Sequence, residues 1–189
     1  MNADLLVYQA KAFYNAYIAL DQLSRDDSDT LLLLFAPLVV TGAFSVELAL
    51  KAILAKNQIE YGKEHNLLIL FQMLPKSFQQ ELWAYLIEKA PEYAGSEKGL
   101  DELILLSNAF VDWRYAFEGK PVPAIESRFL AAFANAAVHT MFSYYNADLL
   151  PATKAESNNE IEQRFHENRE KCKEINLKMI QKKTKEHQL

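Results

Sequence analysis

Five ionisable residues interrupt apolar stretches of the sequence. Glu47 and Lys51 lie in FSVELALKAIL, His65 precedes NLLILF, and Arg114 and Glu118 lie in FVDWRYAFEG. Ionised groups in apolar surroundings need partners or a ligand, because their desolvation is costly. An imidazole can act as an acid or base near neutral pH, and a neighbouring cation can stabilise an anionic group. His65, together with Arg114 or Lys51, therefore forms a candidate catalytic group.

The same side chains could instead satisfy one another in a structural role. Glu47 precedes Lys51 by four residues, the favourable order for a pair on one helix, and Arg114 and Glu118 share this spacing. If the two helices run parallel, Glu47 faces Arg114 and Lys51 faces Glu118. Antiparallel helices would oppose like charges. We therefore predict parallel helices joined by an ionic cluster of these four residues.

Several other chemistries lack their sequence signatures. The chain contains no HExxH or Glu-x-x-His motif, no glycine-rich phosphate loop and no GxSxG. We therefore predict no metal site and no cofactor. The single Cys172 and the start MNADLL, which has no basic region, are typical of a cytoplasmic protein without a signal peptide.

Charge and hydropathy restrict the partners. Residues 152–189 hold nine Lys or Arg against seven Asp or Glu, so residues 1–151 carry a net charge of -7 within a total of -5. This acidic body argues against broad binding of nucleic acid, although a local basic cleft could hold a few phosphates. The apolar run from Leu31 to Val46 contains Pro37 and Gly42 and leads into Glu47. It predicts a buried central helix and no membrane span.

Apolar residues recur at intervals of three and four throughout, which predicts an all-α fold. We expect an up-and-down bundle of four to five helices over residues 1–151. The helices are predicted at residues 4–23, 30–57, 64–89 with an interruption at Pro75, 100–118 and 124–149. Ser77 and Gln80 form a predicted capping box where the third helix restarts.

Residues 152–189 are predicted to form a linker and a charged amphipathic helical extension. The heptad positions of this extension are Ile161, Phe165, Asn168, Cys172, Ile175 and Met179. The seam predicts an arm that pairs with another protein chain through the C-terminal helix. The alternative is a helix that lies against its own bundle or frays in solution.

The segments SVELALKAIL, HNLLILFQMLP and FVDWRYAFE together resemble bacterial members of the HEPN superfamily. These small all-α domains are linked to nucleotide and RNA transactions in defence, toxin-antitoxin and stress systems. The resemblance covers about residues 5–148. It implies a homodimer with polar residues lining a groove between subunits, and a ligand-binding role for His65, Arg114 and Tyr115.

The ribonucleases of that superfamily carry Arg followed by four to six residues and then His. Here the positions that follow Arg114 at this spacing are Gly119, Lys120 and Pro121, and His139 lies eleven residues after Arg128. The sequence therefore favours a non-catalytic module that binds a nucleotide, RNA or a protein partner. The alternatives are a metal-independent ribonuclease toxin with a different active site and a purely structural interaction protein.

Overall fold

The computed structural model describes residues 3–25, 28–94, 97–115 and 123–145. These ranges fold into seven α-helices and a single 3₁₀ turn, Pro91–Tyr93, without a strand. The helices are α1 (Ala3–Ser24), α2 (Ser28–Lys56), α3 (Leu67–Met73), α4 (Lys76–Lys89), α5 (Glu97–Leu106), α6 (Ala109–Arg114) and α7 (Ser127–Tyr145). The predicted all-α bundle is confirmed.

The chain divides into two compact units, Met1–Leu149 and Leu150–Leu189. All the described residues belong to the first unit. The predicted C-terminal helix and its heptad seam lie outside the described residues.

Helix α2 is the central element of the bundle and contacts α1, α3, α6 and α7. Almost every residue from Leu38 to Leu54 is buried or nearly so, because the sequence is apolar on nearly every face. The window Leu33–Lys56 is long and apolar enough to cross a bilayer, but 56% of it is buried inside the fold. This burial is typical of a core helix, as the sequence predicted.

The junction between α3 and α4 differs in detail from the prediction. Helix α4 begins at Lys76 with Pro75 at the N-cap and no side-chain cap, so the predicted capping box of Ser77 and Gln80 is wrong. Proline fixes its own φ and can itself start the helix. The Gln79 side-chain amide instead donates to the carbonyls of Gln72 and Leu74, at 3.0 and 2.7 Å. It thereby satisfies carbonyls at the C-terminal end of α3.

The predicted helix over 100–118 is interrupted at Ser107 and Asn108, where α5 ends and α6 begins. Two hydrogen bonds join this break to the start of α3. The backbone N–H of Leu67 donates to the Ser107 carbonyl at 2.8 Å, and the Asn66 amide donates to Asn108 Oδ1 at 3.0 Å. The carbonyl of Ser107 is therefore used in a tertiary contact.

Helix α6 runs antiparallel to α2. Phe44 of α2 stacks on Phe110 at a ring distance of 4.4 Å, and the earlier residue Phe35 packs on the later residue Trp113 at 5.1 Å. The contacts thus follow opposite orders along the two helices, and the predicted parallel arrangement is wrong. The prediction assumed a regular up-and-down succession of helices, which the short helices α3, α4 and α5 between α2 and α6 do not follow.

Candidate functional site

A buried carboxylate anchors the candidate site. The Glu47 side chain on α2 is 2% exposed, and its Oε1 accepts from Lys51 Nζ at 2.7 Å and contacts His65 Nδ1 at 2.9 Å. Lys51 is 10% exposed, whereas the His65 ring is 49% exposed. Glu47 Oε2 has no hydrogen-bond partner within the described part of the chain. The buried pair therefore supports an imidazole that reaches the surface.

The loop between α2 and α3 positions His65. Its turns use a positive φ of 58° at Gln58 and 55° at Gly62. Glu64 Oε1 then accepts from the backbone N–H groups of His65 and Asn66, at 2.9 and 2.7 Å. Asn66 caps α3 by accepting from the Ile69 N–H at 3.0 Å. The backbone of His65 is thus held between a side-chain cap and the start of a helix.

The hydrogen bond to Glu47 determines how His65 can act. A carboxylate accepts, so Nδ1 must carry the proton when Glu47 is ionised. The other ring nitrogen, Nε2, is then available to a ligand at the exposed edge of the ring. Such an imidazole can donate or accept one proton while its orientation stays fixed.

Arg114 and Tyr115 lie at the C-terminal end of α6, where Arg114 contacts the Phe110 ring that stacks on Phe44. The Arg114 guanidinium carbon is 4.9 Å from the Phe110 ring centre and 4.7 Å from the Tyr115 ring centre. Its Nη2 donates to the Tyr115 hydroxyl at 3.0 Å. The His65 ring centre lies 6.3 Å from that of Phe110. His65 and Arg114 therefore border one ring, which in turn stacks on Phe44.

Lys51 lies below this surface. Its ammonium is 5.4 Å from the ring centre of Tyr61, and burial together with the Glu47 charge raises the pKa of that phenol. The buried position of Lys51 favours a structural role for this lysine.

A cavity of about 440 Å³ lies farther along the loop that follows α2. It is lined by Ala55, Gln58, Ile59, Glu60, Tyr61 and Gly62.

The predicted ionic cluster is realised only in part. Glu47 pairs with Lys51 along α2, as the spacing indicated. Among the described residues no ion pair joins Glu47 to Arg114, because α6 is antiparallel and carries Arg114 toward the region of Phe35. Glu118 lies outside the described residues. The predicted bond between Glu47 and Arg114 is therefore replaced by one between Glu47 and His65.

Of the three residues predicted to bind a ligand, His65 and Arg114 each lie beside the Phe110 ring, and Tyr115 contacts Arg114. The structure adds Asn108 and Phe110, which the sequence did not single out. Asn66 could have been recognised as an N-cap before an apolar run. Asn108 likewise occupies the N-cap position before an apolar run, at the start of α6, but its side chain makes no capping hydrogen bond, and its partner Asn66 is distant in sequence. In the described ranges no three His, Cys, Asp or Glu side chains are placed to hold a metal ion.

The combination of groups suits an anionic ligand with an aromatic ring. A guanidinium binds phosphate oxygens through parallel hydrogen bonds, and an exposed aromatic side chain can stack on a base. Tyr115 is 39% exposed, and Arg114 is also exposed. The imidazole Nε2 supplies a further polar contact at the same surface.

A comparison with known protein families finds a match over the part of the chain that contains the candidate site. The model of the HEPN domain family matches residues 39–128. This stretch contains all the site residues described above, from Phe44 on α2 to Tyr115 after α6. No curated protein and no solved structure matches the chain.

Proposed function

We propose that this protein, a member of the HEPN superfamily, is a module that binds single-stranded RNA through His65, Arg114 and Tyr115. The observation that carries the proposal is the placement of the His65 imidazole and the Arg114 guanidinium around the Phe110 ring. In the proposed complex, Arg114 binds a phosphate, and the Tyr115 ring stacks on a base. A free nucleotide offers the same chemistry with fewer contacts.

The charge of the protein determines how strong such binding can be. Residues 1–151 carry a net charge of -7, which repels a polyanion at long range. Binding would then depend on few local cations, and its salt dependence would be shallow, since each phosphate contact on a single strand contributes only about 0.7 to the slope of log affinity against log salt. We expect a weak complex that forms at low ionic strength, limited to a few nucleotides around Arg114.

The first experiment compares two arginine variants in binding of a short single-stranded RNA, followed by fluorescence anisotropy. Arg114→Ala removes a charge-assisted contact and should weaken binding about tenfold or more. It should also lower the slope of log affinity against log salt by roughly 0.7 for one lost phosphate contact. Arg128→Ala is the matched control. The Arg128 side chain is 68% exposed and pairs with Glu92 on a different part of the bundle.

Equal losses in the two variants would mean that the RNA responds only to overall charge, and the proposed site would be wrong. No loss for Arg114→Ala would have the same meaning. Helical circular dichroism on both variants checks that the fold is intact.

The second candidate function is a metal-independent ribonuclease, and the hydrogen bond from His65 to Glu47 favours it. His65 Nε2 would take the proton from a ribose 2′-hydroxyl, whose oxygen attacks the adjacent phosphorus. The bond from phosphorus to the 5′-oxygen breaks, this oxygen takes a proton from water, and the products are a 2′,3′-cyclic phosphate and a 5′-hydroxyl. Arg114 would stabilise the charge that develops on the phosphate.

A cleavage assay in the presence of a chelator separates the two functions. The binding module leaves the RNA intact. The ribonuclease yields cyclic-phosphate ends, and His65→Ala should abolish their formation, whereas RNA binding through Arg114 and Tyr115 should only weaken. Retained cleavage in His65→Ala would assign the activity to another site or to a contaminant.

We place this module in the cytoplasm, in a defence, toxin-antitoxin or stress system, which fits the superfamily and the single Cys172. The proposal includes a homodimer and a protein partner that binds the C-terminal helix. An interaction protein without RNA binding is the remaining alternative. The anisotropy experiment tests it directly, because such a protein would bind RNA no better than an acidic control protein.

A further inference from the structure

A series of ring contacts leads from the candidate site onto α1. The Phe110 ring stacks on Phe44, with 4.4 Å between the ring centres. Phe44 also contacts Phe13 of α1, whose ring centre is 4.6 Å away and whose plane is inclined by 78°. At the other end, the Arg114 guanidinium contacts both Phe110 and Tyr115. We call this series the aromatic path, and its members in order are Phe13, Phe44, Phe110, Arg114 and Tyr115.

The two ends of the aromatic path are open to solvent. Among the described residues, three Phe, Tyr or Trp side chains are exposed, namely Tyr8 at 60%, Phe13 at 37% and Tyr115 at 39%. Phe13 and Tyr115 are the two ends of the path, and the rings of Phe44 and Phe110 between them are partly buried. The exposed part of Phe13 therefore gives a second position at which a planar group can stack.

The surroundings of Phe13 on α1 suit a nucleobase. The exposed residues beside it on the helix are Gln9, Ala12 and Ala16. The two alanines leave space next to the ring, and the Gln9 amide carries both a donor and an acceptor, the groups that bind the edge of a base. Residues 5–20 contain no Asp or Glu. This stretch of α1 therefore adds no negative charge to the path.

The length of the aromatic path limits which ligand can use both ends. Two rings, Phe44 and Phe110, separate Phe13 from Arg114 along the path. A mononucleotide whose phosphate binds Arg114 and whose base stacks on Tyr115 has no second base to place on Phe13. In an oligonucleotide, a phosphate between two nucleosides has a base on either side. Such a ligand can bind Arg114 and both exposed rings together.

We propose that Phe13 is a second base-stacking position of the RNA site, and that the ligand is therefore an oligonucleotide and not a free mononucleotide. This inference rests on the proposed RNA-binding function. An internal phosphate binds Arg114, one base stacks on Tyr115, and a base on the other side of that phosphate stacks on Phe13. Phe13 precedes residues 39–128, which match the HEPN family model. The position is thus a feature of this chain outside the matched region.

Isothermal titration calorimetry of the full chain with uridine monophosphate and with hexauridylate, at low ionic strength, tests the inference. Phe13→Leu keeps an apolar side chain against Phe44 but removes the ring. It should weaken hexauridylate binding about tenfold, because stacking of one base is lost, and leave binding of the mononucleotide unchanged. Phe13→Tyr retains a ring and should bind both ligands as the wild type does.

Tyr8→Leu is the matched control, and it should change neither affinity. It removes a more exposed ring from the same helix. Tyr8 lies five residues before Phe13, which places it about 140° away around the helix axis and off the aromatic path. Helical circular dichroism checks that each variant is folded.

Arg114→Ala distinguishes failure of this inference from failure of the proposed function. It should weaken binding of both ligands. If it weakens neither, or if the wild type binds neither, the RNA site itself is wrong and the inference fails with it. If it weakens both while Phe13→Leu binds hexauridylate as the wild type does, the RNA site stands and the role of Phe13 is overturned. Equal losses of the two ligands in Phe13→Leu, or equal losses of hexauridylate in Phe13→Leu and Tyr8→Leu, also overturn it.

Discussion

Replacement of Glu47 by alanine should destabilise the bundle strongly, because it leaves Lys51 as a buried cation. The Lys51 side chain is 10% exposed, and its ammonium donates to Glu47 at 2.7 Å. The centre of the Tyr61 ring is 5.4 Å from the same ammonium, but an aromatic ring cannot replace a carboxylate. Removal of one member of a buried ion pair typically costs about 3–5 kcal/mol. A chain of this size loses roughly 2–4 °C of Tm per kcal/mol.

Two further variants separate the charge from the packing. Glu47→Gln keeps the shape and the acceptor at Oε1 but removes the charge. Because Oε2 has no hydrogen-bond partner in the described part of the chain, this variant loses no hydrogen bond at that oxygen. Its free energy of unfolding should lie between those of the wild type and of Glu47→Ala.

The double variant Glu47→Met/Lys51→Met removes both charges and keeps most of the buried volume. Replacement of a buried ion pair by apolar residues of similar size is often neutral or stabilising. The double variant should therefore be more stable than Glu47→Ala, although it contains one more substitution. The difference in free energy of unfolding between the two variants reports the cost of leaving the Lys51 charge without a partner.

Urea unfolding, followed by the helical circular dichroism signal, measures all of these variants. The reasoning is refuted if Glu47→Ala lies within about 1 kcal/mol of the wild type, since breaking a buried pair costs about 3 kcal/mol or more. It is equally refuted if the double variant is no more stable than Glu47→Ala. In either case Lys51 would have to reach solvent or another partner in the absence of Glu47.

Two other predictions concern the core around α2. Burial raises the pKa of Tyr145 to about 12, and its hydroxyl donates to the Ala52 carbonyl at 2.9 Å; the fold therefore favours the neutral phenol. This contribution to stability is complete below pH of about 10 and is lost as the pH rises toward 12. In Tyr145→Phe, the free energy of unfolding measured with urea should therefore fall less over this pH range than in the wild type. An equal fall in both proteins would contradict this. Gly42→Ala would place a Cβ 2.9 Å from Tyr17 and 3.2 Å from Leu130, and should destabilise by about 1–3 kcal/mol. A Gly42→Ala chain with wild-type Tm would show that these side chains move aside at no cost.

The helical class and the two long N-terminal helices followed from apolar periodicity alone. Helices α1 and α2 begin and end within two residues of the predicted bounds, because their burial patterns continue without a break. The break between α5 and α6 could not be predicted in this way. No Pro or Gly lies at Ser107 or Asn108, and the break uses a backbone hydrogen bond from Leu67, forty residues earlier. Local preference contains no information about such a contact.

The residue types of the candidate site could be predicted from the sequence, but not all of the pairs that these residues form. The spacing of Glu47 and Lys51 predicted their pairing, since both lie on one helix. The partner of Arg114 depended on the direction of α6, and charge matching between two helices cannot establish that direction. Aromatic packing of Phe110 on Phe44 and of Trp113 on Phe35 determines it instead. Burial of large rings contributes more to the arrangement of these helices than ion pairs at their edges.

This difference in partnership changes what the buried charges imply for function. A closed cluster of Glu47 with Arg114 would have engaged the guanidinium inside the protein. In the structure Glu47 takes Lys51 as its buried cation and binds His65 through the same oxygen, and Arg114 remains at the surface beside Phe110. The ion pair on α2 therefore supports the exposed imidazole and does not compete with the exposed guanidinium. Lys51→Met should consequently alter RNA binding less than Arg114→Ala does, because Lys51 stabilises the base of the site and does not reach its surface.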